Sequence, residues 1–302
     1  MTSTPTATQT SAHPADLLLQ AMKQAGSPVC VGLDPVLERL PHPLNPQDAS
    51  NAAAAYAIAA FSCAVLHAVQ GVVGAIKIQS ACYERFGAEG AAALDCVFRE
   101  ARQLGFCVIF DAKRADIGVS TEHYAAASRA LDAQFTTCSP YLGADGIEPF
   151  LAEGRGAFAL VRTSNPSGDL LQSLALADGR TVAEAVADLI SQIGAKHLGQ
   201  AGFSSLGAVV GATKREDAIQ LRKRMPHAMF LVPGYGAQGG TADDVRACFR
   251  EDGRGAIVNA SRSVLYPKGT PGQSFDAAIH DAACAFRDEI AAVVGPMERS
   301  CG

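Results

Sequence analysis

The chain lacks the residue spacings that build metal and redox centres. Its nine cysteines are scattered at positions 30, 63, 82, 96, 107, 138, 248, 284 and 301, and none forms C-x-x-C. Its seven histidines show neither H-x-x-x-H nor H-x-H spacing. A dedicated His/Cys metal site is therefore not expected. An odd cysteine count without a secretion signal fits a reducing cytoplasm. No basic stripe stands out, and the formal net charge is -5, which argues against a general nucleic-acid binder. Residues 1–13 have neither a basic start nor an apolar core. They are expected to be a disordered tail, not a signal peptide. The most membrane-like stretch, residues 52–69, is mostly alanine, is interrupted by Ser62 and His67, and has no flanking charge anchors. It is expected to be a helix packed on a sheet, so no membrane is expected as a partner. No G-x-G-x-x-G follows the first apolar run, which disfavours a doubly wound dinucleotide-binding sheet.

What is present is a pattern of eight short apolar, β-rich runs. They are Val29–Asp34, Gly74–Gln79, Cys107–Lys113, Phe135–Pro140, Phe158–Thr163, Ala208–Thr213, Met229–Gly234 and Ala256–Ser261. Segments of helical composition lie between them: Ala88–Leu104, Ser120–Ala133, Val182–His197, Glu216–Arg224 and Ala242–Arg250, with a last one from about Ser274 to Val294. Strands alternating with helices imply parallel βαβ units. Eight units in 302 residues predict a single-domain α/β fold, a (β/α)8 TIM barrel, over residues 14–302. Pro14 to Gly26 could form an extra helix closing the barrel floor. The Pro-rich segment Pro35–Pro46 reads as a long βα loop.

Polar residues collect where these runs end. Asp34 ends the first, Lys77 and Gln79 the second, Asp111 and Lys113 the third, and Ser139 the fourth. Thr163, Ser164 and Asn165 follow the fifth, and Thr213 and Lys214 end the sixth. Asn259, Ser261 and Arg262 end the eighth. Barrels place active sites at the C-terminal ends of their strands, so this asymmetry points to an enzyme. The third run ends in Asp111-Ala112-Lys113-Arg114-Ala115-Asp116. Residues two apart on a strand share a face, so Asp111 and Lys113 are expected to pair. Asp116 lies just beyond, on a loop.

A phosphate site is also legible. Gly234-Tyr235-Gly236-Ala237-Gln238-Gly239-Gly240 follows the seventh run and precedes a helix expected to begin near Thr241. Glycines allow close backbone approach, and a helix N-terminus favours an anion. Arg262, one βα unit later, can add a forked charged contact. Loops after strands seven and eight are the common phosphate site of barrels.

From about Val29 to Tyr266 the chain resembles the orotidine 5′-phosphate decarboxylase family. The segments that carry the resemblance are Asp111–Gly118 (D-x-K-R-x-D-I-G), Ile76-Lys77-Ile78-Gln79 and the run Pro233–Gly240. Val31-Gly32-Leu33-Asp34-Pro35 and Arg162-Thr163-Ser164-Asn165-Pro166 also match. The long loop before Asn51 and the T-S-N-P segment resemble the bacterial branch with longer chains. The resemblance implies a (β/α)8 barrel, a homodimer with sites shared across the interface, and no metal or organic cofactor. It implies loss of CO2 from orotidine 5′-monophosphate to give UMP. By similarity Lys113, Asp111, Lys77 and Asp116 are the catalytic residues, with Asp116 supplied by the partner subunit. Asp34 is implied as a ribose contact, Ser164 and Ile117 as pyrimidine contacts, and Gln238 and Arg262 as phosphate ligands, with Gly236 and Gly239 shaping the loop. Ser120 is implied as a second ribose contact, with Thr121 as its alternative. Two other readings use the same barrel. A Mg2+-dependent sugar-phosphate lyase shares D-x-K-x-x-D, but would usually carry a further acidic ligand after the second strand, where this chain has Lys77-Ile78-Gln79. A non-catalytic sensor of phosphorylated ligands would not require all four charged residues.

Overall fold

In the computed structural model, residues 12–46, 50–236, 239–295 and 297 are described. Eight parallel strands close into a barrel in sequence order. They are β1 (Val29–Leu33), β2 (Ala75–Gln79), β3 (Cys107–Arg114), β4 (Phe135–Cys138), β5 (Gly156–Arg162), β6 (Leu206–Val210), β7 (Phe230–Val232) and β8 (Ala256–Ala260). The helices are α1 (Pro14–Ala25), α2 (Asn51–Val69), α3 (Ala81–Glu84), α4 (Gly87–Gln103), α5 (Gly118–Ala130), α6 (Asp169–Gln172), α7 (Val182–Gly194), α8 (Arg215–Arg224), α9 (Ala242–Arg246), α10 (Arg262–Leu265) and α11 (Phe275–Val294). Closure is made by β1 pairing with both β2 and β8, Cys30 lying opposite Ala75 on one side and Asn259 on the other.

Alternation along the strands sorts the core into two shells. Outward residues such as Val29, Val31, Leu33, Ile76, Ile78 and Val108 pack beneath the helices. Inward residues such as Cys30, Ala75, Ile109, Phe135, Phe158, Met229 and Ile257 fill the barrel. Phe135 and Phe158 meet with ring centroids 4.8 Å apart. Both are fully buried, so truncating Phe158 to alanine should cost about 3–5 kcal/mol.

Helix α1 plugs the floor as the sequence suggests. It starts with Pro14 at its first turn and stops at Gly26, which adopts φ 68°. Leu18, Leu19 and Met22 face the inner shell, and the Asp16 carboxylate accepts from the backbone N–H of Gln200 and Ala201 at 2.9 and 3.0 Å. With the floor sealed by apolar side chains, polar chemistry is confined to the opposite end. Helix α2 has the length and hydropathy to cross a membrane, yet half of its most apolar window is buried in the protein, and it packs on α4 and α11. The helix expected over Ala242–Arg250 ends at Arg246. Tight turns follow instead, with Cys248 and Phe249 N–H bonded to the carbonyls of Val245 and Arg246.

Candidate active site

The C-terminal ends of the strands surround a cavity of about 470 Å³. Its wall includes Asp34, Lys77, Asp111, Lys113, Ser164 and Arg262. They come from five positions around the ring: β1, β2, β5 and β8, or the turns just after them, supply one each, and β3 supplies both Asp111 and Lys113.

The centre of the site is Asp111, which is 6% exposed. Its Oδ2 accepts from Lys77 Nζ at 2.8 Å and from Gln79 Nε2 at 3.2 Å. Its Oδ1 accepts from Lys113 Nζ at 2.7 Å and from Thr137 Oγ1 at 2.8 Å. Four donors occupy the carboxylate, so its orientation is fixed. Lys77 Nζ also reaches Asp34 Oδ1 at 3.1 Å. The result is a continuous row of alternating charge: Asp34, Lys77, Asp111, Lys113. Burial alone would raise the Asp111 carboxyl, but the ammonium groups of Lys77 and Lys113 outweigh it and hold the group below the ordinary carboxylate range. Burial alone would lower Lys77. Asp34 and Asp111 outweigh that and hold its ammonium above the usual lysine range. The charges of Lys77 and Asp111 are thus held by their ion pairs, at a depth where an isolated charge would be neutralised.

Lys113 reaches its position through an unusual backbone. Its φ is +46°, a left-handed conformation that non-glycine residues rarely adopt. The β3–β4 register shifts between Phe110 and Arg114, and the Lys113 N–H donates to Thr137 Oγ1 at 2.9 Å. Such strain, about 1–3 kcal/mol, persists where surrounding contacts over-determine it. Here Thr137 holds both members of the pair, through the Lys113 backbone and the Asp111 carboxylate.

Thr137 is not among the strand-end residues that the sequence pattern singles out; Ser139 is. The strand stops at Cys138 and Pro140 opens a 3-10 turn, so Ser139 caps Tyr141 N–H at 3.4 Å. Counting alternate residues onward from inward-facing Phe135 would have found Thr137. Gln79 and Asn259, both strand-end residues, also line the cavity.

Asp116, Ile117 and Ser120 are not in this wall. The Asp116 carboxylate accepts from the Ile117 N–H at 2.9 Å, Ile117 is 56% exposed, and Ser120 is exposed. Thr121 is buried, with its hydroxyl unpartnered among the described residues. Of the two candidates for a ribose contact, only Ser120 is on the surface.

At the glycine-rich loop, Gly236 and Gly239 have φ of +64° and +89°, values that favour glycine. Their N–H groups are bonded within the loop, to the carbonyls of Gly240 and Gly236 at 3.0 and 2.9 Å. Gln238 lies outside the described residues. Helix α9 does begin at the expected place, but its start is closed by its own side chains: Thr241 and Asp244 form a reciprocal capping box. An anion here would therefore rely on the loop and on Arg262 more than on the α9 terminus.

The orotidine 5′-phosphate decarboxylase / HUMPS family matches residues 27–277 of the chain. An orotidine 5′-phosphate decarboxylase of Rhodopirellula baltica is 44% identical over 268 residues, covering 83% of this chain and 88% of the relative. One from Roseiflexus sp. is 41% identical over 269 residues, covering 88% and 93%. Among solved structures, the OMP decarboxylase of Leishmania donovani superposes with a TM-score of 0.75 at 32% identity, covering 93% of this chain and 98% of that one. The chain belongs to the orotidine 5′-phosphate decarboxylase / HUMPS family.

Proposed function

We infer that this family member is a carboxy-lyase that converts orotidine 5′-monophosphate to UMP and CO2 in pyrimidine biosynthesis. The observation that carries the reading is the Asp34–Lys77–Asp111–Lys113 row, set in a cavity whose wall also holds Arg262. The bond between C6 of the pyrimidine and its carboxylate breaks, and the electron pair remains on C6. The ring offers that pair no obvious π system. The Lys113 ammonium, held by Asp111 at 2.7 Å, supplies a preorganised positive charge beside the developing carbanion. It then gives its proton to C6 and is reprotonated from solvent. Lys77 anchors Asp111 from below and keeps that carboxylate charged.

In this reading Arg262 and Gln238 hold the phosphate, with Gly236 and Gly239 shaping the loop between them. Asp34 accepts from a ribose hydroxyl and Ser164 contacts the pyrimidine. Asp116, Ile117 and Ser120 serve the site of the partner subunit in a homodimer. Ile117 and Ser120 are exposed and Asp116 is half-buried on the segment that follows β3, all three outside their own cavity wall, which supports this assignment. The reaction requires no metal and no organic cofactor, because Lys113 provides the charge. The carboxylates of Asp34 and Asp111 are matched by lysines, an arrangement that favours this reading over the Mg2+-dependent lyase. A cytoplasmic setting fits the free cysteines found among the described residues.

An ultraviolet assay for loss of orotidine 5′-monophosphate, run with and without chelator, tests the proposal. Turnover that survives exhaustive chelation is expected. A chelator-treated protein restored only by Mg2+ would move the assignment to the sugar-phosphate lyase, and ligand binding without turnover would make it a sensor.

A further inference from the structure

We propose that Asn259 is a further substrate-binding residue, which reads a hydroxyl of the nucleotide's sugar. The proposal rests on the decarboxylase reading above and assigns one more contact within the same cavity.

Asn259 lies on β8, three residues before Arg262, and lines the cavity. It is 6% exposed, and its Oδ1 is buried with no hydrogen-bond partner among the described residues. The amide's Nδ2 donates to Ser261 Oγ over a long 3.4 Å. Buried amide oxygens without partners are uncommon, and one set in a cavity wall points to a group that arrives from outside. The neighbouring strand makes room for this amide. A Cβ at Gly32 of β1 would fall 2.2 Å from Ser261 Oγ and 3.0 Å from Asn259 Oδ1. Only glycine leaves the Asn259–Ser261 pair where it is.

Position then selects the chemistry. β8 stands beside β1, and Asn259 lines the same cavity as Asp34, at the end of β1, and Arg262, just after β8. These two are the proposed ribose and phosphate contacts. A phosphate oxygen is an acceptor only and would face the unpartnered Oδ1 unfavourably. The pyrimidine is assigned to Ser164, after β5, on the other side of the ring. A sugar hydroxyl remains. It can donate to the unpartnered Oδ1, which a phosphate oxygen cannot.

The test compares the whole enzyme and its Asn259→Ala variant on orotidine 5′-monophosphate and on its 2′-deoxy and 3′-deoxy analogues. A parallel arm measures binding of UMP and the matching deoxy-UMPs by calorimetry. With the natural sugar, Asn259→Ala should lose about tenfold or more in kcat/KM and in UMP affinity, the size of one net hydrogen bond. With the analogue that lacks the hydroxyl read by Asn259, the loss should shrink to about twofold or less. Equal losses on all three substrates, or no loss on the natural one, overturn the proposal. If Asn259→Ala does not fold, Asn259→Ser supplies the same comparison. Failure of the wild-type chain to decarboxylate would overturn the activity alone, because the UMP arm still reads Asn259.

Discussion

Replacing Asp111 by asparagine tests whether the charged row is held together by that one carboxylate. Asparagine keeps the shape but removes the negative charge that Lys77 and Lys113 share. Two charge-assisted hydrogen bonds are weakened, each ordinarily worth about 1.5–3 kcal/mol. The two are not equal here. The Lys113 side chain is 48% exposed, so its share should approach the ~0–1 kcal/mol of a surface pair. The Lys77 side chain is 6% exposed and would keep only Asp34, at 3.1 Å, as its counter-ion. Breaking a buried pair costs about 3–5 kcal/mol, and the remaining Asp34 contact places the expected loss near the lower end, ~3 kcal/mol. At ~2–4 °C per kcal/mol, melting should fall by roughly 6–12 °C. The loss should also depend on pH. The folded Asp111 carboxyl titrates below its ordinary value, so its stabilisation is present above about pH 4 and is lost as pH falls through the folded value. Asparagine does not titrate. The gap between wild type and variant should therefore be widest near pH 7 and narrow toward pH 3. Urea unfolding at both pH values, at one fixed protein concentration, reads it directly. A gap of the same size at both pH values, or one below about 1 kcal/mol at pH 7, would refute the electrostatic account of the site.

Three further outcomes are expected. Lys113→Ala should lose more than tenfold in turnover, which corresponds to at least ~1.4 kcal/mol of transition-state stabilisation, while UMP still binds; a variant with a tenth or more of wild-type activity would remove Lys113 from its role. Arg262→Ala should damage turnover of the phosphorylated substrate far more than that of orotidine itself, because binding energy from the remote phosphate aligns the reacting ring; equal losses on both would show that Arg262 does not read the phosphate. Lys113→Ala and Asp116→Asn chains, each inactive alone, should regain about a quarter of intact sites when co-refolded, since half the dimers are mixed and one site in each escapes both lesions; a mixture as inactive as its parts would place Asp116 in its own subunit's site.

The sequence shows where the barrel puts its chemistry because two periodicities coincide there. Apolar alternation marks the strands, and charges interrupt it only at their ends, as in Cys107–Arg114. The Asp111–Lys113 pair follows from that period of two and is present at 2.7 Å. The same rule misleads one strand later. Ser139 is in phase with Phe135, but the strand has already ended and Pro140 has turned the chain. Thr137, still inside the strand, makes the contact to Asp111. Period therefore identifies a facing residue only as far as the strand's pairing lasts, and strand ends are what a sequence marks least well. Asn259 is hidden for a different reason. A polar residue at a strand end looks alike whether solvent or a ligand meets it; only its burial and its unpartnered oxygen separate the two cases. Asp116, Ile117 and Ser120 lie outside the wall of their own cavity, so strand periodicity does not mark them; the proposed homodimer would give them a site in another copy of the chain.

Asp34 shows how the row and the substrate can share one group. By resemblance it is a ribose contact, and the structure also makes it the outer end of the charged row. Its Oδ1 accepts from Lys77 at 3.1 Å, and its side chain is 34% exposed while that of Asp111 is 8% exposed. A carboxylate has two oxygens with about four acceptor sites. One oxygen can hold Lys77 while the other faces a sugar hydroxyl, so binding the ribose need not break the row. It would instead order the less buried carboxylate of the row, and through Lys77 and Asp111 that order reaches Lys113. On this reasoning a sugar contact some distance from C6 supports the group that acts on C6, and substrates that lack the hydroxyl met by Asp34 should lose turnover as well as affinity.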